Sequence, residues 1–219
     1  MQQWQLNAFA DEAADSLQGQ IEAMRRNGIT GLEIRGVNGK NVSDLTDEEA
    51  REIAARLSDA GMFVWSLGSR CGKTSITEDF APALADWKRT LQIAHLLNAR
   101  RIRMFSFYLP AQQDPALYRQ AVLDRLYVFA QTAQEEGILA CHENEKGIYG
   151  DIAARCLEIH QQVPQLRCVF DPANYVQCGQ DTLEAWELLA PCVDYMHIKD
   201  ALPDGFVVPA GQGAGHVPQ

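Results

Sequence analysis

The sequence predicts an α/β protein built as a (β/α)8-type barrel. Three observations carry that expectation. Apolar runs of strand length alternate seven times with helical stretches, the pattern of successive βα units. The strand ends fall near residues 35, 67, 106, 143, 171 and 197, a spacing close to the ~30 residues of one such unit. The glycine-rich phosphate turn of an open doubly wound sheet is missing. Residues 9–14 lack it, and Gly68-x-x-x-Gly72-Lys73 is too short for a phosphate loop. The doubly wound sheet is kept as the alternative.

Taken in order, residues 4–10 read as a first strand. Ser16 caps a helix that runs to Arg26 and closes at Asn27-Gly28, with Leu17, Ile21 and Met24 on one face. Residues 31–35 form the second strand and 36–44 a polar loop. Thr46 and Glu49 have the spacing of a capping box, and their helix stops at Gly61. The third strand spans 62–67, a helix about 80–97, and the fourth strand 101–108. Asp114-Pro115 opens the next helix, proline being favoured in a first turn. The fifth strand begins at Ile138. A helix follows Asp151 and is stopped by Pro164, the sixth strand ends at Asp171, and Asp181-Thr182 caps a short helix. The seventh strand ends at His197, and residues 207–219 have no regular period. No residues are left for an eighth strand. The expectation is one domain over 1–219, a barrel C-terminally truncated to seven of eight strands, left open, or closed by a partner chain.

Bulk properties narrow the function classes. The chain of 219 residues is 47% hydrophobic and 22% charged, ordinary for a soluble domain with a full core. Its formal net charge of -10 argues against nucleic acid and anionic membranes as partners. No apolar run approaches the ~20 residues that span a bilayer, and the N-terminus lacks a secretory signal. The cysteines at 71, 141, 156, 168, 178 and 192 form no Cys-x-x-Cys pair. They read as reduced thiols of a cytoplasmic protein.

The chemistry gathers at strand ends. Residues 138–141 are apolar, then His142, Glu143, Asn144 and Glu145 follow in a row. The sixth strand ends on Asp171 and the seventh on His197. In a parallel barrel the C-terminal strand ends form the active face, so Glu143, Asp171 and His197 come to one rim. Two carboxylates and an imidazole suit one divalent metal ion (Mn, Co, Mg or Zn), and the lack of thiolates argues against a structural zinc. Any one of them alone reads better as a polar strand cap; three ligand types at three consecutive strand ends favour the metal.

Three motifs in series carry a resemblance: CHENEKGIYGD over 141–151, FDPAN over 170–174 and HIKD over 197–200. They resemble the sugar phosphate isomerase/epimerase family, within the xylose isomerase-like TIM barrel superfamily that also includes endonuclease IV. The resemblance spans the chain from its first strand to its end. It implies that Glu143, Asp171 and His197 hold the metal and that Glu143 doubles as an acid/base group. The family's fourth ligand, a glutamate on strand eight that is also the second acid/base carboxylate, has no position here. Gln212 stands where the family often has Glu.

The implied reaction is isomerisation or epimerisation of a ketose or sugar phosphate by proton transfer through an enediolate. Glu145 and Asn174 are candidates for holding substrate or ligands, and Lys199 for offsetting negative charge. His142 either lines the pocket or is buried, and the facing of Arg103 is open. Asp11 and Glu12, after the first strand, either reach the rim or cap the helix, with the cap favoured. His95 and His160 read as surface or packing residues, Trp4 and Trp65 as packing residues, and His216 has no readable role. The expected partner is a small sugar, with a homodimer kept open. Two other readings stand beside this one. A truncated, non-catalytic relative follows from the missing strand. An abasic-site endonuclease needs many His ligands and a basic face, against five histidines and a charge of -10.

Overall fold

Seven parallel strands form the main sheet of the computed structural model, which describes residues 4–217. They are β1 (Asn7–Ala8), β2 (Gly31–Ile34), β3 (Phe63–Gly68), β4 (Arg101–Met104), β5 (Leu139–Glu143), β6 (Arg167–Phe170) and β7 (Val193–Met196). Each strand pairs with the next in chain order. That order has no reversal point, so the barrel topology is observed and the doubly wound alternative is not. The sheet curls into a half-barrel. Tyr195 on β7 reaches across the interior to Ser66 on β3 (3.3 Å) and Glu33 on β2 (3.2 Å). β1 and β7 are its edges, and the described residues contain no eighth parallel strand.

The crossovers carry α1 (Leu17–Arg26), α2 (Asp47–Asp59), α3 (Phe80–Leu96), α4 (Arg119–Glu135), α5 (Ala153–Gln162), α6 (Pro172–Gln177) and α7 (Thr182–Leu189). Their starts are written in the sequence. Ser16 accepts from the Gly19 amide at 3.2 Å. Thr46 and Glu49 form the reciprocal capping box. Asp181 accepts from the amides of Leu183 and Glu184. Each cap is worth about 1 kcal/mol.

One face of the sheet packs on the helices. Leu32 and Ile34 of β2 are buried in an apolar cluster with Trp87, Phe107 and Phe129. Trp87 stacks on Phe129 at 4.9 Å. A second cluster of Cys156, Phe170, Tyr175, Ala185 and Leu189 seats α5 to α7. Because strand side chains alternate, Leu32 and Ile34 commit Glu33 to the barrel interior. All six cysteines are free thiols. Among the described residues no helix is long and apolar enough to cross a membrane.

Several local expectations are corrected. β4 stops at Met104 because the chain turns there onto the loop after β3. Phe105 N–H donates to Cys71 O and Phe107 N–H to Gly72 O, both at 2.9 Å, with Phe107 at φ 63. Asp114-Pro115 starts only a single 3-10 turn, Pro115–Leu117, and the helix begins at Arg119. Residues 36–44 contain a small ribbon, Gly36–Val37 paired with Lys40–Asn41. The tail is ordered as well: Val207–Val208 pairs with Asp200–Ala201. The Asp200 carboxylate accepts from the amides of Gly211, Gly213 and Gly215 at 2.8–2.9 Å.

Candidate metal centre

Glu143 is the last residue of β5, Asp171 follows β6 directly, and His197 follows β7 directly. Each of the three offers a ligand atom within 4.8 Å of the other two. His197 Nδ1 lies 3.0 Å from Glu143 Oε1 and 3.8 Å from Asp171 Oδ2. Nε2 of the same ring lies 3.3 Å from Glu33 Oε2.

Local hydrogen bonds fix this arrangement. The Asn144 side chain accepts from the Asp171 amide (2.9 Å) and donates to the Asp171 carbonyl (3.0 Å). Asp171 is also the N-cap of α6, with Oδ1 accepting from the Asn174 amide at 3.0 Å, which leaves Oδ2 facing the cluster. Asn174 Nδ2 donates to the Asn144 carbonyl (2.8 Å) and to Glu143 Oε1 (3.3 Å). The helix α6 was not expected; six residues are too few to show a period.

Two cations border the carboxylates. Arg103 points inward from β4, its Nε 3.1 Å from Glu143 Oε2 and 3.8 Å from Glu33 Oε1. That nitrogen makes no directed hydrogen bond, so the 3.1 Å contact is an ion pair only. Arg103 Nη1 is anchored on Ser69 O at 3.0 Å. Lys199 Nζ lies 3.2 Å from Asp171 Oδ2 and donates to Asn174 Oδ1 at 2.9 Å. Three carboxylates against two permanent cations leave one negative charge when His197 is neutral.

Burial opposes charge on both His197 and Glu143, and their mutual attraction overrides it. His197 is pushed down by desolvation, but Glu143 and the hydrogen bonds to Asp171, Glu143 and Glu33 hold it well above the ordinary imidazole range. Glu143 is pushed up by desolvation, but His197, Arg103 and Lys199 hold it well below the ordinary carboxylate range.

The other candidate residues divide. Arg103, Asn174 and Lys199 join the cluster. His142 does not: as the neighbour of Glu143 on a strand it faces the opposite way. Its Nε2 meets Ser106 Oγ at 3.0 Å and its ring lies 5.9 Å from that of His160 on α5. Burial and the neighbouring His160 lower it to about 3. Glu145 stands outside the cluster, paired with Lys73 at 2.8 Å. Asp11 and Glu12 do not cap α1. They lie in a 3-10 turn, Ala10–Glu12, and bind Arg35. His160 is buried, while His95 is exposed against Glu136 at 3.1 Å. His216 Nδ1 lies 2.9 Å from Thr182 Oγ1. Trp4 is largely exposed rather than packed, and Arg101 lies over the Trp65 ring at 4.0 Å.

Sequence reasoning missed Glu33, which is 3% exposed in the middle of β2. Its signal was present: an acid between Leu32 and Ile34 must face away from the helix layer.

The donor set fits a divalent cation. Two carboxylates and one imidazole from three strand ends, without a thiolate, make a three-point site. A metal ligand must be neutral imidazole, and with His197 neutral the cluster carries one net negative charge.

A family model described as xylose isomerase-like TIM barrel matches residues 21–218. A comparison with the curated proteins finds no match. Among solved structures, the probable 3-DHS dehydratase AsbF from Bacillus anthracis has a TM-score of 0.77 at 17% identity, covering 97% of this chain and 85% of that one. The IOLI protein with a bound zinc atom has a TM-score of 0.77 at 15% identity, covering 96% and 81%. The 3-keto-D-glucoside 4-epimerase YcjR from E. coli has a TM-score of 0.68 at 16% identity, covering 90% and 78%. At these identities the likeness is one of fold.

Proposed function

Because the chain belongs to the xylose isomerase-like TIM barrel family, we propose that it is a metal-dependent isomerase or epimerase of a ketose or sugar phosphate. The observation that carries this reading is the convergence of Glu143, Asp171 and His197 on one point at the C-terminal strand ends. A divalent cation held there supplies Lewis acidity to a carbonyl and the hydroxyl beside it.

The residues of the chain do the rest. Glu143 is the base: its carboxylate takes the proton from the carbon next to the carbonyl, and the carbon–hydrogen pair moves into the enediolate. Its low proton affinity before substrate arrives keeps it ionised for that step. Arg103 and Lys199 flank the carboxylates and offset the negative charge that develops on the substrate oxygens. Asn174 holds Glu143 Oε1 and Lys199 Nζ at once, which fixes base and cation relative to each other. Return of the proton to the neighbouring carbon isomerises the sugar. Epimerisation would need a proton delivered to the same carbon on the opposite face, by an acid other than Glu143.

The experiment is a screen of ketoses and their phosphates with added Mn²⁺ or Co²⁺ in deuterated water. The carbon-bound proton should exchange in wild type and not in Glu143→Gln. A second reading is favoured by the fold likeness to the probable dehydratase AsbF. Dehydration begins with the same proton abstraction but then expels a hydroxyl group. Conjugated product, read by ultraviolet absorbance, separates it from isomerisation.

A further inference from the structure

Glu33 lies opposite the face of His197 that Glu143 and Asp171 occupy. It is a carboxylate on β2, far in sequence from β7, yet its Oε2 is 3.3 Å from His197 Nε2. Its Oε1 accepts from the Tyr195 hydroxyl at 3.2 Å, and the same oxygen is 3.8 Å from Arg103 Nε. Tyr195 Oη is in turn 3.3 Å from Ser66 Oγ. The carboxylate is therefore held by His197 and Tyr195 at the end of β7 and by Arg103 on β4. The imidazole is also held at its flanks, since the rings of Phe9 and Tyr195 meet it edge-on at 5.0 and 5.6 Å.

A neutral imidazole carries one proton, on one of two nitrogens. Carboxylates lie beside both nitrogens, Glu143 at Nδ1 and Glu33 at Nε2. Glu33 is outside the three-residue cluster, so a cation held by Glu143 and Asp171 takes the Nδ1 lone pair. That leaves the proton on Nε2, whose hydrogen bond Glu33 accepts. Nδ1 is then the nitrogen whose lone pair faces Glu143 and Asp171. We propose that Glu33 is a positioning residue that sets the tautomer and orientation of His197, so that Nδ1 is the donor atom offered to the cation. Glu33 stands behind the imidazole and is no ligand itself. Carboxylates placed behind a ligating histidine fix its ring and raise its basicity. The proposal rests on the reading of Glu143, Asp171 and His197 as one metal centre.

The test uses zinc, which is diamagnetic, and ¹⁵N-labelled protein whose histidine nitrogens are assigned with His197→Gln. In the zinc-loaded wild type, His197 should show a protonated Nε2 and a metal-bound Nδ1. Glu33→Gln keeps an acceptor at the same place and should stay close to wild type in zinc affinity. Glu33→Leu removes it and should lower zinc affinity about 10–100-fold, with part of the zinc-bound rings carrying their proton on Nδ1 instead of Nε2. Tyr195→Phe, which leaves the carboxylate in place, should move neither readout by as much. Zinc bound through Nε2 in the wild type would overturn the proposal without any variant, even if Glu33→Leu fails to fold. An unchanged affinity and tautomer in a folded Glu33→Leu would overturn it too. A wild type that binds no zinc at all contradicts the metal-centre reading itself, which is a different failure.

Discussion

Asn144 clamps the main chain of Asp171 from both sides, accepting from its amide at 2.9 Å and donating to its carbonyl at 3.0 Å. One side chain thus joins the end of β5 to the end of β6 and sets the spacing of Glu143 and Asp171. Asn144→Leu removes both bonds and strands two buried backbone groups. We expect a loss of about 2–4 kcal/mol in urea unfolding and a weaker affinity for Mn²⁺. Unchanged stability would show that the clamp is not what holds the two strand ends together.

Lys199 lies beside Asp171 at the edge of the cluster, with its side chain 39% exposed. Its removal should therefore cost little stability. Lys199→Met is expected to keep the melting temperature within a few degrees and to retain metal. Substrate proton exchange should fall on the order of 10²-fold, the usual loss when one charge-stabilising group is deleted. Loss of metal with loss of activity would instead make Lys199 a support for Asp171.

Gly72 has φ 82, and a Cβ added there would lie 2.0 Å from the carbonyl oxygen of Phe105. The loop after β3 can therefore pass β4 only with glycine at this point. Gly72→Ala should destabilise the fold by at least ~2 kcal/mol, both from the left-handed backbone and from the overlap. Thermal unfolding measures it, and a melting temperature equal to wild type would contradict the packing described here.

His160 is buried and, chiefly by desolvation, lowered to about 4 from an ordinary 6.5. The folded state thus binds its proton more weakly than the unfolded chain does. Stability is full above about pH 6.5 and is lost as the pH falls toward 4, at up to roughly 1.4 kcal/mol per pH unit for this group. Urea titrations between pH 7 and 4.5 should show that slope in wild type and a shallower one in His160→Phe. Equal slopes would mean that His160 does not control acid unfolding.

Much of this architecture was legible in the sequence for a physical reason. Strands buried on both faces are apolar until they end, so Glu143, Asp171 and His197 stood out where apolar runs broke. Caps such as Thr46 with Glu49 were equally local. Facing was harder. In residues 138–141 the run is apolar on both sides, and nothing local says whether His142 or Glu143 points inward. Arg103 had the same ambiguity on β4. Glu33 carries no strand-end signal, because it lies mid-strand in Gly31–Ile34. The tail was illegible because Asp200 orders it through backbone amides more than ten residues away, which leave no side-chain pattern.

The most direct measurement is the binding of Mn²⁺ to the purified protein, read as free ion by paramagnetic resonance. Wild type should bind one ion per chain, and Glu143→Gln, Asp171→Asn and His197→Ala should each weaken that binding at least tenfold. Undiminished binding in all three variants, or none in the wild type, would contradict the metal centre.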